Sequence, residues 1–250
     1  MICQRTVEIM RKSLLGLAVV FSLQLAIARD FKKSYTLPPY GQIIVENNLC
    51  DIKVTGYKGT SIEIVGKRKG PDRDTIEIFD NSSGNRIEIR LKFALPQESD
   101  ARVDFEVRVP NSVEYNYSRL SSFSGNVTVS GVVGRLRAES VRGNVELKDV
   151  KGLVSATSFS GEIRAELGKE QDRNNMRFSS ISGNIIVSAP SNLDALVELS
   201  CESCSLRTDF PLDIQESRYG PGSSARGRLG SGKQILHIRS VTGKVSLLQK

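Results

Sequence analysis

Apolar residues along most of this chain fall at every second position, as in Gln42-Ile43-Ile44-Val45-Glu46, Ser61-Ile62-Glu63-Ile64-Val65, Thr75-Ile76-Glu77-Ile78-Phe79 and Arg86-Ile87-Glu88-Ile89-Arg90. A period of two marks strands buried on one face, and no helical period competes with it. Turn signals separate the strands: Gly70-Pro71 within 66–74, the run 81–85, Pro96 to Asp100, and Pro110-Asn111. Residues 34–117 therefore read as an antiparallel or mixed β region made of local hairpins.

From residue 118 a phrase recurs: Ser122-Phe123-Ser124-Gly125-Asn126-Val127, Ser140-Val141-Arg142-Gly143-Asn144-Val145, Ser158-Phe159-Ser160-Gly161-Glu162-Ile163, Ser180-Ile181-Ser182-Gly183-Asn184-Ile185 and Ser240-Val241-Thr242-Gly243-Lys244-Val245. Its first four glycines step by 18, 18 and 22 residues, a spacing of stacked solenoid coils. Aligned on the glycine, three columns stay apolar. They are Leu120, Ala138, Ala156, Phe178, Ile238; Val127, Val145, Ile163, Ile185, Val245; and Val129, Leu147, Ala165, Val187, Leu247. One coil cannot bury such a face alone, whereas coils stacked about 4.8 Å apart share one core. Phe159 and Phe178 are both expected in it, and each glycine is expected to supply a positive-φ corner.

The fold class is thus all-β: a β-solenoid or parallel β-helix-like stack of short strands with glycine corners, preceded by a hairpin-rich β region. A β-sandwich with glycine turns is the alternative. The expected organisation is a signal peptide over 1–28, an N-terminal β region over 29–117, and a repeat solenoid over 118–250 continuous with it. The Ser-x-x-Gly-x-(Val/Ile) phrases at Gly125, Gly143, Gly161, Gly183 and Gly243, with Val107-Arg108-Val109-Pro110 and 195–200, resemble the bacterial putative-adhesin repeat family across roughly residues 42–250. That resemblance implies an envelope or surface β-solenoid of unknown biochemical function, with no catalytic residues to transfer. Glu202-Ser203-Cys204 departs from the phrase by placing Cys204 at the glycine position and Glu202 in an apolar column, which predicts an irregular coil.

The address comes from the start of the chain. Arg5, Arg11 and Lys12 precede an apolar run, Leu14 to Ile27, which ends in Ala26-Ile27-Ala28. The run is shorter than the roughly 20 residues of a membrane span and fits a secretory signal cleaved after Ala28, an uncleaved anchor being the alternative. Of the 35 Lys and Arg and 28 Asp and Glu, Arg5, Arg11, Lys12 and Glu8 fall within 1–28, so the remainder carries a net +5. An exported, mildly basic chain without a nucleic-acid motif points to an anionic envelope polymer or a surface protein as partner, not nucleic acid. No second segment is long enough to span a membrane after cleavage.

Candidate chemistry is sparse, and no catalytic residue, cofactor or metal site is predicted. Beyond the signal three cysteines remain, Cys50, Cys201 and Cys204, an odd number that predicts one bridge and one free thiol in an exported chain. Cys201 and Cys204 would lie about 10 Å apart in an ideal strand, so pairing them requires a corner at Cys204. The run Gly227 to Lys233 imitates a phosphate loop, but Gln234 replaces the required hydroxyl and a strand follows where a helix is needed. His237, the only histidine, faces outward beside Leu236 and Ile238 and has no nucleophile phrase near it. Asp51, Asp149, Glu162, Glu198 and Asp213 share no column, against a polysaccharide lyase or hydrolase on a β-helix. That carbohydrate-active reading, and an envelope ligand-sensing domain, stand as alternatives to an adhesin-like binding module. Finally, fixing Leu120, Ala138 and Phe178 inward turns Arg119, Arg137 and Arg177 outward as a candidate ladder for anionic ligands, interrupted by Ser155.

Overall fold

The computed structural model describes residues 30–93, 101–168, 175–218 and 220–250, so the expected signal segment lies outside the described residues. Before the repeats run β1 (Phe31–Tyr35), β2 (Gln42–Asn47), β3 (Ile52–Tyr57), β4 (Ile62–Lys69), β5 (Ile76–Asp80), β6 (Arg86–Phe93) and β7 (Arg102–Pro110). The repeats supply β8 (Tyr115–Ser122), β9 (Val127–Ser130), β10 (Gly134–Ser140), β11 (Val145–Lys148), β12 (Val154–Ser158), β13 (Ile163–Glu166), β14 (Met176–Ser180) and β15 (Ile185–Ala189). Then come β16 (Ala195–Cys201), β17 (Leu206–Thr208), β18 (Ile214–Glu216), β19 (Ser223–Leu229), β20 (Gln234–Ser240) and β21 (Val245–Gln249). One 3₁₀ turn, Arg73–Thr75, is the only helical element among the described residues.

These strands form two facing sheets, ordered β1-β4-β7-β3-β9-β11-β13-β15-β21-β17 and β18-β19-β16-β20-β14-β12-β10-β8-β2-β6-β5. Each coil gives one strand to each sheet, and neighbouring coils pair in parallel, as Ala138 with Ala156 and Val145 with Ile163. The three apolar columns are buried throughout. Their inward side chains meet between the sheets and make the core that no single coil could form.

The parallel stack reaches further towards the N-terminus than residue 118. β2 pairs in parallel with β8 and β6, and β3 with β9 and β7, so residues 42–57 already form a coil. Of the hairpins expected over 34–117, β5–β6 forms; β4 instead pairs with β7 and β1. Alternation specifies which side chains face the core but not which strand lies alongside, and a parallel partner satisfies the same pattern.

The repeat glycines do a different job from the one expected. None of Gly125, Gly143, Gly161, Gly183 and Gly243 has a positive φ. A Cβ on Gly143 would lie 2.1 Å from the carbonyl oxygen of Gly125, and one on Gly161 2.0 Å from that of Gly143. Close approach of backbone from the preceding coil is therefore what excludes a side chain. The buried serine three residues earlier completes the arrangement. Ser140 Oγ accepts from Gly143 N–H at 2.9 Å and donates to the Gly125 carbonyl at 2.9 Å; Ser158 does the same with Gly161 (2.9 Å) and Gly143 (3.3 Å). On the outer side of the turn, Asn126 Oδ1 accepts from Asn144 N–H, and Asn144 Oδ1 from Glu162 N–H, which links successive coils again.

Coils follow sequence order from β8–β9 to β14–β15, but not at the ends. The coil β6–β7 lies outside β2–β3, and the last coil in sequence, β20–β21, lies between β14–β15 and β16–β17. Antiparallel strands cover the outer coils: β4 on β7, β5 on β6 and β19 on β16. Such covers replace bare parallel edges that would otherwise template pairing with another chain.

Candidate functional site

The outer face of the eleven-stranded sheet concentrates arginine. Register places Arg137, Ser155, Arg177, His237, Glu198 and Arg226 in one outward column across β10, β12, β14, β20, β16 and β19. Arg119 joins it at a bulge in β8, where the pairing with β10 shifts between Leu136 and Ala138. The predicted arginine ladder thus lies on one exposed face, but two of its members are already engaged. Arg119 pairs with Glu46 at 3.2 Å and Arg137 with Glu139, which leaves Arg177 without an ion pair among the described residues. Two further arginines on this face, Arg135 of β10 and Arg228 of β19, are likewise uncommitted; the apolar-column argument did not single them out because it followed one column only.

The histidine of this face and its carboxylates Glu139 and Glu198 are engaged within it. His237 Nδ1 lies 3.2 Å from Glu198, whose other oxygen meets Arg226. The Arg226 hydrogen bond is the chief reason that the Glu198 carboxyl is held below its ordinary value, with the charges of Arg226 and His237 adding to it against partial burial. Among the described residues no three His, Cys, Asp or Glu side chains gather to hold a metal ion.

Along one border of this face runs a groove of about 530 Å³. Ser122, Ser140 and Ser158, whose side chains turn inward, lie along its floor, and Ser121, Glu139 and Thr157 form one wall. Its other wall is a ridge of exposed apolar side chains, Phe123 (47 % exposed), Val141 (38 %), Phe159 (54 %) and Ile181 (45 %). The expectation that Phe159 lies in the core is therefore corrected: only Phe178 is buried. Strand alternation explains the difference. Phe178 shares the inward column of Leu120, and the phrase serine is inward too, so the residue after that serine must face solvent. Arg142 sits over the Phe123 ring at 5.2 Å from its centroid.

The cysteines occupy repeat positions. Cys201 pairs with Ser240 in register, so Cys201 and Cys204 stand where the phrase has serine and glycine. They form a disulfide with Cα atoms 5.4 Å apart, and a covalent link thereby replaces the serine–glycine hydrogen bond of the other coils. The coil stays regular: Leu206 continues in register with Val245, and Glu202 takes its place in the column of Phe123, Val141, Phe159 and Ile181, which faces outward, where it meets Arg239. Cys50, in the glycine column of β2–β3, is a buried free thiol whose pKa is raised by burial, reinforced by Asp104.

The phosphate-loop-like run turns its donors onto the protein itself. Asp194 accepts from Ser231 Oγ (2.9 Å), Gly232 N–H (2.6 Å) and Lys233 N–H (3.3 Å). This carboxylate fastens the crossing from β19 to β20 over the start of β16. Burial pushes the Asp194 carboxyl up, but these bonds and the Lys233 charge outweigh it and leave the pKa lowered.

Among solved structures, similarity extends to a putative cell adhesion protein from Clostridium sporogenes, with 10 % identity over 89 % of this chain and 100 % of that one, at a TM-score of 0.49. A putative adhesin from Bacteroides fragilis shares 13 % identity over 88 % of this chain and 97 % of its own, at a TM-score of 0.37. No curated protein matches the sequence. Residues 41–247 match the family described as Toastrack DUF4097, the whole coil stack from β2 to β21, and the chain belongs to that family.

Proposed function

We propose that this chain is an exported, non-catalytic envelope or surface module that binds an elongated anionic polymer on the outer face of its eleven-stranded sheet. The observation that carries this reading is charge sorting. Strands β8, β10, β12, β14, β16, β19 and β20 contain seven arginines, no lysine and two carboxylates, Glu139 and Glu198, whereas the remaining strands of the sheet, β2, β5, β6 and β18, carry Glu46, Glu77, Asp80, Glu88 and Glu216 beside Arg86, Arg90 and Lys92, so the arginine excess belongs to the first set. All seven arginines are exposed, and Arg135, Arg177 and Arg228 are free of ion pairs among the described residues. Guanidinium groups bind carboxylate and phosphate through two parallel hydrogen bonds, and a rigid sheet fixes their spacing so that only side chains, not backbone, must be ordered on binding. Export rests on the basic and apolar N-terminal pattern, and a non-catalytic role on the commitment of the glycine loop to Asp194.

Retention on immobilised polygalacturonate tests the reading. The wild type should elute at a salt concentration that the triple variant Arg135→Glu, Arg177→Glu, Arg228→Glu does not reach, while both unfold at the same temperature. Undiminished retention of the folded variant overturns the proposed face. Release of reducing or unsaturated ends from the polymer by the wild type overturns the non-catalytic role.

A further inference from the structure

The geometry points to a linear polysaccharide as the polymer, its sugar backbone lying along the groove between the apolar ridge and the Ser121, Glu139, Thr157 wall; this deepens the anionic-polymer reading and rests on it. Three features select a sugar chain over a lipid tail or a protein.

The first is that apolar and polar walls face each other across one groove. The ridge is a single residue wide, and the hydroxyls and carboxylate opposite it are within the same cavity. A lipid tail or a protein's apolar face would strip water from those polar groups without replacing it, at a cost. A hexopyranose presents C–H groups on one face and hydroxyls around its edge, and so satisfies both walls.

The second feature is repeat length. Groove residues recur once per coil, about every 4.8 Å, and an extended polymer of hexopyranoses advances by about one such step per sugar. Phe123 and Phe159, two coils apart, then stack on alternate sugars about 10 Å apart, with Val141 and Ile181 beneath the others. An extended peptide advances about 3.3 Å per residue and falls out of step within two coils.

The third feature is the mixed sign of the lining. Glu46, Arg119 and Glu139 offer acceptors and donors together, as sugar hydroxyls require, instead of a field of one sign. Acidic substituents on the chain point away from the ridge, towards the column of Arg137 and Arg177 on the adjoining sheet face. The backbone and the charge of the ligand are thus read by different residues.

That separation gives the test. Binding of hexagalacturonate and of polyglutamate is measured by calorimetry for the wild type, for Phe123→Ser/Phe159→Ser, and for the uncharged Val141→Ser. Both rings are exposed, so the double variant should keep the wild-type melting temperature, and Val141→Ser, a single exposed site changed without adding charge, provides a second probe of the groove. Each groove variant should weaken hexagalacturonate about tenfold or more and leave polyglutamate unchanged. Equal binding of hexagalacturonate by wild type and both variants overturns the groove while the charged-face reading stands, provided that polyglutamate binding still falls in the arginine variant. No binding of either probe by the wild type overturns both. A wild-type dimer, by light scattering, that the double variant splits into monomers makes the ridge a subunit contact and overturns the proposal. So does wild-type binding to phosphatidylcholine vesicles that the double variant loses.

Discussion

The hydroxyl of Ser140 lies 2.9 Å from the carbonyl oxygen of Gly125, one coil away, and is the point at which the side chain of one repeat ties down the backbone of the next. Because the Ser140 hydroxyl also accepts from Gly143 N–H, Ser140→Ala strands a buried donor, Gly143 N–H, and a buried acceptor, the Gly125 carbonyl, together. We expect a loss of about 1–3 kcal/mol in urea unfolding, with the slope unchanged, while Ser121→Ala on the groove wall should stay within about 0.5 kcal/mol.

Gly161→Ala should be worse. The added methyl would meet the Gly143 carbonyl at 2.0 Å, and backbone held in two sheets cannot retreat as a side chain would. The expected cost is about 3 kcal/mol or more by thermal or urea unfolding. Gly168→Ala is the control, since no atom of the described residues beyond its chain neighbours lies within 4 Å of its Cβ position.

Two phenylalanines that look alike in the repeat should respond oppositely. Phe178→Ala opens a cavity at a fully buried position and should cost about 3–5 kcal/mol. Phe159→Ala, on the exposed ridge, should change stability by no more than about 0.5 kcal/mol. Chemical denaturation of the two single variants checks both.

The disulfide replaces a hydrogen bond, so the repeat's own residues should substitute for it. Closing so short a loop is worth about 2 kcal/mol in the chain-entropy account. Cys201→Ser/Cys204→Gly should retain more stability than Cys201→Ala/Cys204→Ala, because it restores the serine–glycine bond. Melting of both variants beside the reduced wild type gives the ranking.

Acid should weaken the N-terminal cap through Asp80. Burial pushes its carboxyl up, but hydrogen bonds from Lys33 (2.5 Å), from Ser82 and from Tyr35 (2.9 Å) prevail and hold it at about 2, below the ordinary 3.8. A folded-state pKa below the unfolded one means that the contribution is present above 3.8 and is lost as the pH falls through about 2. The stability difference between wild type and Asp80→Asn should therefore be constant at neutral pH and shrink across that window. A difference independent of pH between about 5 and 2 contradicts the assignment.

Much of the core was legible because burial and period coincide: Leu120, Val127 and Val129 and their equivalents are inward in each coil, as their alternation requires. The ridge was misread at Phe159 for want of one further step of the same logic, since an inward serine forces its successor outward. Cys204 falls at the glycine position, but the residue types there suggest an irregular coil; the bridge to Cys201, in the serine position, is what keeps that coil in register. The close approach behind the glycines has no sequence signature distinct from a positive-φ turn, as both exclude a Cβ. Nor does any local pattern reveal that β6–β7 and β16–β17 sit outside coils that precede or follow them, because coil order is decided by pairing between distant segments.

The placement of β20–β21 inside the stack carries a consequence for biosynthesis. β17 pairs only with β21, and β16 takes its parallel partner from β20. A chain that has emerged as far as residue 233 therefore holds the outermost coil without the strands on which it rests, and the open edges of β14 and β15 await residues 234–250. Arrival of the last segment and closure of the stack are one event.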